Sequence, residues 1–231
     1  MWKVGLTEDS SRATMSHTGS KSPSETLWDS MLRQCGAIKI RNVEEMVDTA
    51  KALLYLPPFK GDRVALLGVS GGHASELTET FSQAGFRVPA ISTESFDEID
   101  SYATRMGGSF RNPFEGASIR TEESLLRTLG ILDKDPNIDF IVMELPGVPN
   151  PRDPNFLNNR VASVLKGQAQ IKKPIAAVIT INNPFVMPNV TELACGMLDK
   201  GLVAFWGMPR GAKALYNAYT YNQQREWLYG K

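Results

Sequence analysis

The sequence contains two histidines, and both lie among small residues. His17 sits within Ser16-His17-Thr18-Gly19-Ser20, read as a loop just before a capped helix. Neutral imidazole is a nucleophile near pH 7. It can attack a phosphoryl group and carry it as a transient phosphohistidine. Ser16, Thr18, Gly19 and Ser20 would give that group space, mobility and hydrogen-bond donors. A solvated surface histidine is the plainer reading of the same five residues.

The second constellation is Gly68-Val69-Ser70-Gly71-Gly72-His73, directly after an apolar run. A strand-to-helix turn here would aim the unpaired N–H groups of a helix start at the ligand edge of a sheet. Ser70, Gly71 and Gly72 are therefore the candidate phosphate-binding residues, since glycine lets an anion approach the backbone closely. No lysine follows, so this is not a Walker loop, and it is not a GxGxxG turn. A tight turn without a ligand reads equally well. His73 reads as a helix-end residue rather than a second catalyst.

A third segment, Ser109–Gly116, reads as a loop around Asn112-Pro113. Arg111 can meet a phosphate there and Asn112 can hydrogen-bond a ligand; a structural turn is the competing reading. Pro146–Pro154 and Asn182-Asn183-Pro184 are further loops on the presumed ligand edge, of unspecified chemistry. No metal-ligand spacing, serine-hydrolase elbow, Cys/His pair or carboxylate pair stands out.

These residues need a scaffold, and the apolar runs supply one. Arg63–Gly68, Arg87–Ile91, Ile138–Leu145, Ile175–Ile181 and Leu202–Phe205 read as strands. Most are apolar throughout rather than alternating, as in a parallel sheet covered on both faces. Amphipathic segments lie between them. Ala74, Leu77, Phe81 and Ala84 recur at helical spacing before Gly85, and Leu125, Leu126, Leu129 and Leu132 follow the N-cap candidate Thr121. The expected fold is α/β, flavodoxin-like or Rossmann-like, with right-handed crossovers. Residues 57–231 form this domain, closing with a helix over Ala212–Leu228.

The first 56 residues read differently, as a partial C-terminal end of a similar module. Ser22-Pro23-Ser24-Glu25 predicts a helix start, and Asn42-Val43-Glu44-Glu45 predicts another. Trp2–Leu6 and Ala37–Ile40 read as short extended segments. Leu56–Asp62 is the linker.

Charge and composition narrow the function classes. Lys plus Arg equals Asp plus Glu, at 25 each. No global field therefore favours nucleic acid or an anionic membrane. No run approaches the roughly 18 apolar residues of a membrane span. The N-terminus lacks the pattern of a secretory signal, which predicts a cytoplasmic protein. Cys35 and Cys195 read as reduced core thiols.

Taken in order, the segments resemble the NDP-forming acyl-CoA synthetases, relatives of succinyl-CoA synthetase. The resemblance runs through Trp2-Lys3, Thr7-Glu8, Ser16-His17-Thr18-Gly19-Ser20 and Arg33-Gln34-Cys35-Gly36-Ala37-Ile38. It continues through Val64–Gly68, Ser70-Gly71-Gly72-His73, Ala84-Gly85-Phe86, Asn112-Pro113 and Asp135-Pro136-Asn137-Ile138-Asp139. It implies that His17 is phosphorylated during turnover and that the Ser70–Gly72 turn holds the phosphoryl group. The implied reaction takes a small carboxylic acid, CoA and ATP or GTP through an acyl phosphate to acyl-CoA, NDP and phosphate. CoA, the nucleotide and Mg are then substrates of the complete enzyme, with no cofactor held tightly by this chain. The family's CoA-binding and ATP-grasp domains lie outside this sequence. The chain is therefore expected to be a fragment or split subunit, inactive alone and completed by partners carrying those domains. A supporting carboxylate for His17 is not assignable to Glu8 or Glu25. Two other readings stand beside this one: a binding module for phosphate, nucleotide or CoA without chemistry, and a truncated, inactive product.

Overall fold

A computed structural model describes residues 1–19, 24–103, 109–148, 150, 153–181, 183, 185 and 187–230. At its centre is a parallel sheet of β1 (Val64–Gly68), β2 (Phe114–Glu115), β3 (Phe140–Pro146), β4 (Ile175–Thr180) and β5 (Val203–Trp206). The order across the sheet is β2-β1-β3-β4-β5, all pairs parallel. This is the flavodoxin-like order, in which the topology reverses between β1 and β3.

Alternate strand residues face opposite sides, so the sheet carries two cores. Val64, Leu66, Phe140, Val142, Ala176, Val178, Val203 and Phe205 pack with α3 (Val43–Tyr55), α4 (Gly71–Ala84) and α9 (Met208–Tyr229). Ala65, Leu67, Ile141, Met143, Leu145, Ala177, Ile179 and Ala204 pack with α5 (Thr93–Asp100), α6 (Glu122–Lys134), α7 (Phe156–Gln168) and α8 (Met187–Asp199). Burial on both faces explains why the strands read as continuous apolar runs.

The helix stops and starts are local chemistry. Gly85 ends α4 in the left-handed conformation, at φ 114°. Thr121 caps α6 in a reciprocal box with Ser124. Asn42 Oδ1 accepts from Glu45 N–H at 2.8 Å to open α3, and Glu45 Oε2 accepts from Arg41 N–H at 2.9 Å. The closing helix α9 begins at Met208, four residues before the expected Ala212, with Pro209 in its first turn.

One expected strand is absent. Arg87–Ile91 makes only a single bridge, Arg63 to Arg87. The Asn112 side chain stands in for the missing ladder. Its Oδ1 accepts from Leu66 N–H at 2.9 Å, and its Nδ2 donates to Val64 O at 2.9 Å and Pro89 O at 2.7 Å. The fifth strand is instead the short β2, paired with Leu67 and Gly68.

The N-terminal residues bring a second correction. Residues 8–18, expected to end in a loop around His17, form α1 (Glu8–Thr18). Thr7 caps it with Ser10 in a reciprocal box, and Glu8 and Asp9 favour its N-terminus. None of its residues is buried. The next helix, α2 (Glu25–Gln34), takes Ser24 as its cap, accepting from Leu27 N–H at 3.3 Å. The expected Ser22-Pro23 start lies outside the described residues. Trp2–Leu6 and Ala37–Ile40 contribute one parallel bridge, Trp2 to Ile40. Helix α3 is tied to the sheet body through Arg210 Nε to Asp48 Oδ2 at 2.7 Å and Lys51 Nζ to Ala204 O at 2.6 Å. Cys35 and Cys195 are exposed rather than core thiols, because one ends α2 and the other lies on the outer face of α8.

Candidate functional site

The sheet's switch point coincides with a cavity. Gly68 and Val69 at the end of β1, Glu144 and Pro146 at the end of β3, Gly116, Arg120, and Phe156 and Arg160 of α7 enclose about 290 Å³. Open α/β sheets bind ligands at this place, outside the carboxyl ends of the strands where the order reverses.

Glu144 lies at the centre of the polar contacts. It is buried in a strand that is otherwise apolar. Its Oε2 accepts from Val69 N–H at 2.8 Å. Its Oε1 lies 2.5 Å from Thr180 Oγ1 and 2.7 Å from His73 Nδ1. A carboxylate is an acceptor only, so this cluster is satisfied when Thr180 and His73 both donate to it. In its neutral form the imidazole then carries its proton on Nδ1 and presents a lone pair at Nε2. Among the described residues Nε2 has no hydrogen-bond partner, and the His73 side chain is 31% exposed.

The two arginines supply positive charge. Arg160 donates from Nη1 to Ile119 O at 3.0 Å, and burial pulls its guanidinium down to about 10. It stays charged near neutrality. Neither Arg160 nor the exposed Arg120 faces a carboxylate partner among the described residues. A partly buried guanidinium without a counter-charge favours an incoming anion.

The Ser70–Gly72 turn opens α4 as expected. Ser70 caps the helix through its Oγ, which accepts from His73 N–H at 3.5 Å. Gly68 lets the helix settle on β1, since a side-chain carbon there would lie 2.9 Å from Ala74 Cα. The Glu115 carboxylate lies over Gly71, 3.1 Å from where its Cβ would be.

The other sequence candidates lie elsewhere. His17 is exposed in the last turn of α1, between Ser16 and Thr18, and Gly19 caps that helix at φ 69°. Ser20 falls outside the described residues. No hydrogen bond or ion pair joins His17 to the Ser70–Gly72 turn among the described residues. Glu25 is paired with Lys39 at 2.6 Å. Arg111 stacks on Phe96, its guanidinium carbon 4.0 Å from the ring centroid, beside a separate small cavity. Asn112 has both ends of its amide engaged by backbone.

Glu144, Thr180, Arg120 and Arg160 were not singled out from the sequence. Glu144 left one legible signal, as the lone charge in Phe140-Ile141-Val142-Met143-Glu144-Leu145. A carboxylate at the end of a buried strand is a candidate functional group on physical grounds. The arginines left none, because their meeting depends on how α7 packs.

Similarity to known proteins follows the same architecture. Residues 1–53 match the family model described as succinyl-CoA ligase like flavodoxin domain. The alpha subunit of acetate–CoA ligase (ADP-forming) II from Pyrococcus furiosus is 26% identical over 227 residues, covering 96% of this chain and 46% of that protein. The 4-hydroxybutyrate–CoA ligase (ADP-forming) of Nitrosopumilus maritimus is 35% identical over 114 residues, covering 49% of this chain and 16% of that protein. A solved structure of dinucleotide forming acetyl-coenzyme A synthetase 1 from Ca. Korarchaeum cryptofilum, in complex with phosphate and ADP, superposes with a TM-score of 0.80. At 23% identity it covers 98% of this chain and 47% of that one, and it establishes the shared fold. The chain thus spans about half, or less, of the length of the relatives it matches. Its N-terminal residues match the succinyl-CoA ligase like flavodoxin domain and nearly its whole length aligns with an ADP-forming ligase subunit, so the chain is similar to the NDP-forming acyl-CoA synthetases.

Proposed function

We propose that this chain is one part of an acid–CoA ligase that converts a carboxylate, CoA and ATP or GTP to acyl-CoA, NDP and phosphate. The observation that carries this reading is the alignment of nearly the whole chain with an ADP-forming acetate–CoA ligase subunit. The reaction passes through an acyl phosphate and a phosphohistidine at His17. Partner domains or subunits supply CoA binding and an ATP-grasp nucleotide site, with Mg accompanying the nucleotide.

The role of His17 has a physical basis in its position. An exposed imidazole at the end of a helix with no buried residue is free to meet a phosphoryl donor and then a second site. Ser70, Gly71 and Gly72 would receive the phosphoryl group at the start of α4, where Ser70 caps and the helix dipole favours an anion. Ser16, Thr18, Gly19 and Ser20 support the histidine, and Arg111 flanks the ligand edge.

The test is intact-mass analysis at neutral pH of the chain mixed with its CoA-binding and ATP-grasp partners and MgATP. The expected result is an acid-labile phosphoryl adduct on the wild-type chain that disappears in His17→Ala. Absence of an adduct from a confirmed, nucleotide-loaded complex would instead favour a binding module without chemistry.

A further inference from the structure

The pairing of His73 with buried Glu144 lies outside the chemistry assigned to His17. Three donors converge on this carboxylate, and they set the tautomer of the neutral imidazole, with its proton on Nδ1 and its lone pair on Nε2. That is the protonation state a histidine nucleophile requires. Glu144 also lines the cavity that holds Arg120 and Arg160, so the same residue touches both the imidazole and the positively charged pocket. An imidazole anchored at one nitrogen, with the other partner-free among the described residues and its anchor Glu144 lining an anion-compatible cavity, has the parts of a covalent acceptor.

We propose that His73 is a second phosphoryl acceptor of this chain, its Nε2 attacking the phosphorus of an acyl phosphate held beside Arg120 and Arg160. The Nε2–P bond forms as the P–O bond to the acyl group breaks. The carboxylate leaves with that electron pair. The proton remains on Nδ1, so the product is a phosphoimidazolium whose positive charge faces Glu144. No further acid, base or oxidant is needed for the balance. Glu144 is a positioning residue in this step, and His73 is the catalytic one. The choice of an acyl phosphate as donor rests on the function proposed above; the site itself rests on the geometry.

The experiment uses the full chain incubated with acetyl phosphate, followed by site mapping of phosphohistidine under neutral conditions. Wild type, His17→Ala and His73→Gln are compared, with circular dichroism on each. The glutamine amide keeps a donor for Glu144 and removes the nucleophile, so folding and chemistry separate. The expected result is label at His73 that survives in His17→Ala and is lost in His73→Gln. The 15N shifts of His73 should also report the Nδ1–H tautomer in wild type and a mixture in Glu144→Ala. Label confined to His17 would overturn the role of His73 while upholding the phosphocarrier at His17. Label at His73 with His17 unlabelled even in the nucleotide-loaded complex would uphold the inference and reject the His17 assignment. No label at either residue overturns this inference.

Discussion

Glu144 accepts from Val69 N–H, Thr180 O–H and His73 at the buried end of β3, beside the cavity. A glutamine at this position has one acceptor oxygen and brings two donors of its own. The amide is satisfied only if Thr180 and His73 reverse their roles and charge-assisted bonds become neutral ones, so Glu144→Gln should destabilise the fold by about 1–3 kcal/mol. Urea unfolding followed by circular dichroism measures this, and an unchanged midpoint would show that the carboxylate is not held as described. Visibility in the sequence differed sharply between residues. His17 and the Ser70–Gly72 turn could be singled out because their neighbours are small and polar. The His73–Glu144 pair was hidden because 71 positions separate its members and only the sheet brings them together. His17 illustrates the opposite failure. Its small neighbours suggested a loop, but Thr7-Glu8-Asp9-Ser10 is a helix start whose cap and acidic first turn were readable.

Elements were legible where burial wrote them into composition. β1, β3, β4 and β5 each appear as an apolar run because both faces are covered. β2 has two residues, too few to leave a pattern. Arg87–Ile91 has a strand's composition but not its hydrogen bonds, since the Asn112 amide occupies the edge of β1. Asn112→Ala would leave Leu66 N–H and Val64 O unpaired in the core. It would also place alanine at a φ of 71°, so a loss of about 2–4 kcal/mol is expected. Thermal unfolding checks this, and a near-neutral effect would mean that the amide does not replace the ladder.

At the opposite end of the same strand, Arg63 forks onto Asp139 with bonds of 2.7 and 2.9 Å. Burial pushes the Asp139 carboxyl up, but hydrogen bonds and charge from Arg63 outweigh it and hold the group below its ordinary value. A depressed carboxyl contributes stability above the unfolded pKa of about 4, and that contribution is lost as pH falls through the folded value. Arg63→Met should therefore cost on the order of 1 kcal/mol at pH 7, and less near pH 3. Denaturation midpoints at the two pH values measure the difference, and an equal loss at both would contradict the linkage.

At the scale of the whole molecule, apolar exposure is uneven. Of the fourteen exposed large hydrophobic residues among those described, eleven lie in the first 55 positions, including Trp2, Leu27, Met46 and Leu54. The sheet domain has two covered faces, whereas the N-terminal helices leave apolar surface in water. Such surface marks an interaction site or an aggregation liability. The isolated chain is thus expected to bind a hydrophobic dye and to self-associate, and the CoA-binding partner proposed above should suppress both. Light scattering with and without that partner checks this; a monodisperse monomer with no dye binding would contradict it. No helix among the described residues is long and apolar enough to cross a membrane, so these side chains do not form a helical span.

The parallel sheet and its helices were readable in advance because the fold is written in local periodicity. The central claim is that His17 carries the phosphoryl group between sites in the assembled ligase. The most direct measurement is CoA-thioester formation by the reconstituted complex, comparing wild type with His17→Ala at matched assembly. Loss of turnover to the uncatalysed background, with the complex and its fold intact, is the expected result. Wild-type turnover by the His17→Ala complex would contradict the claim.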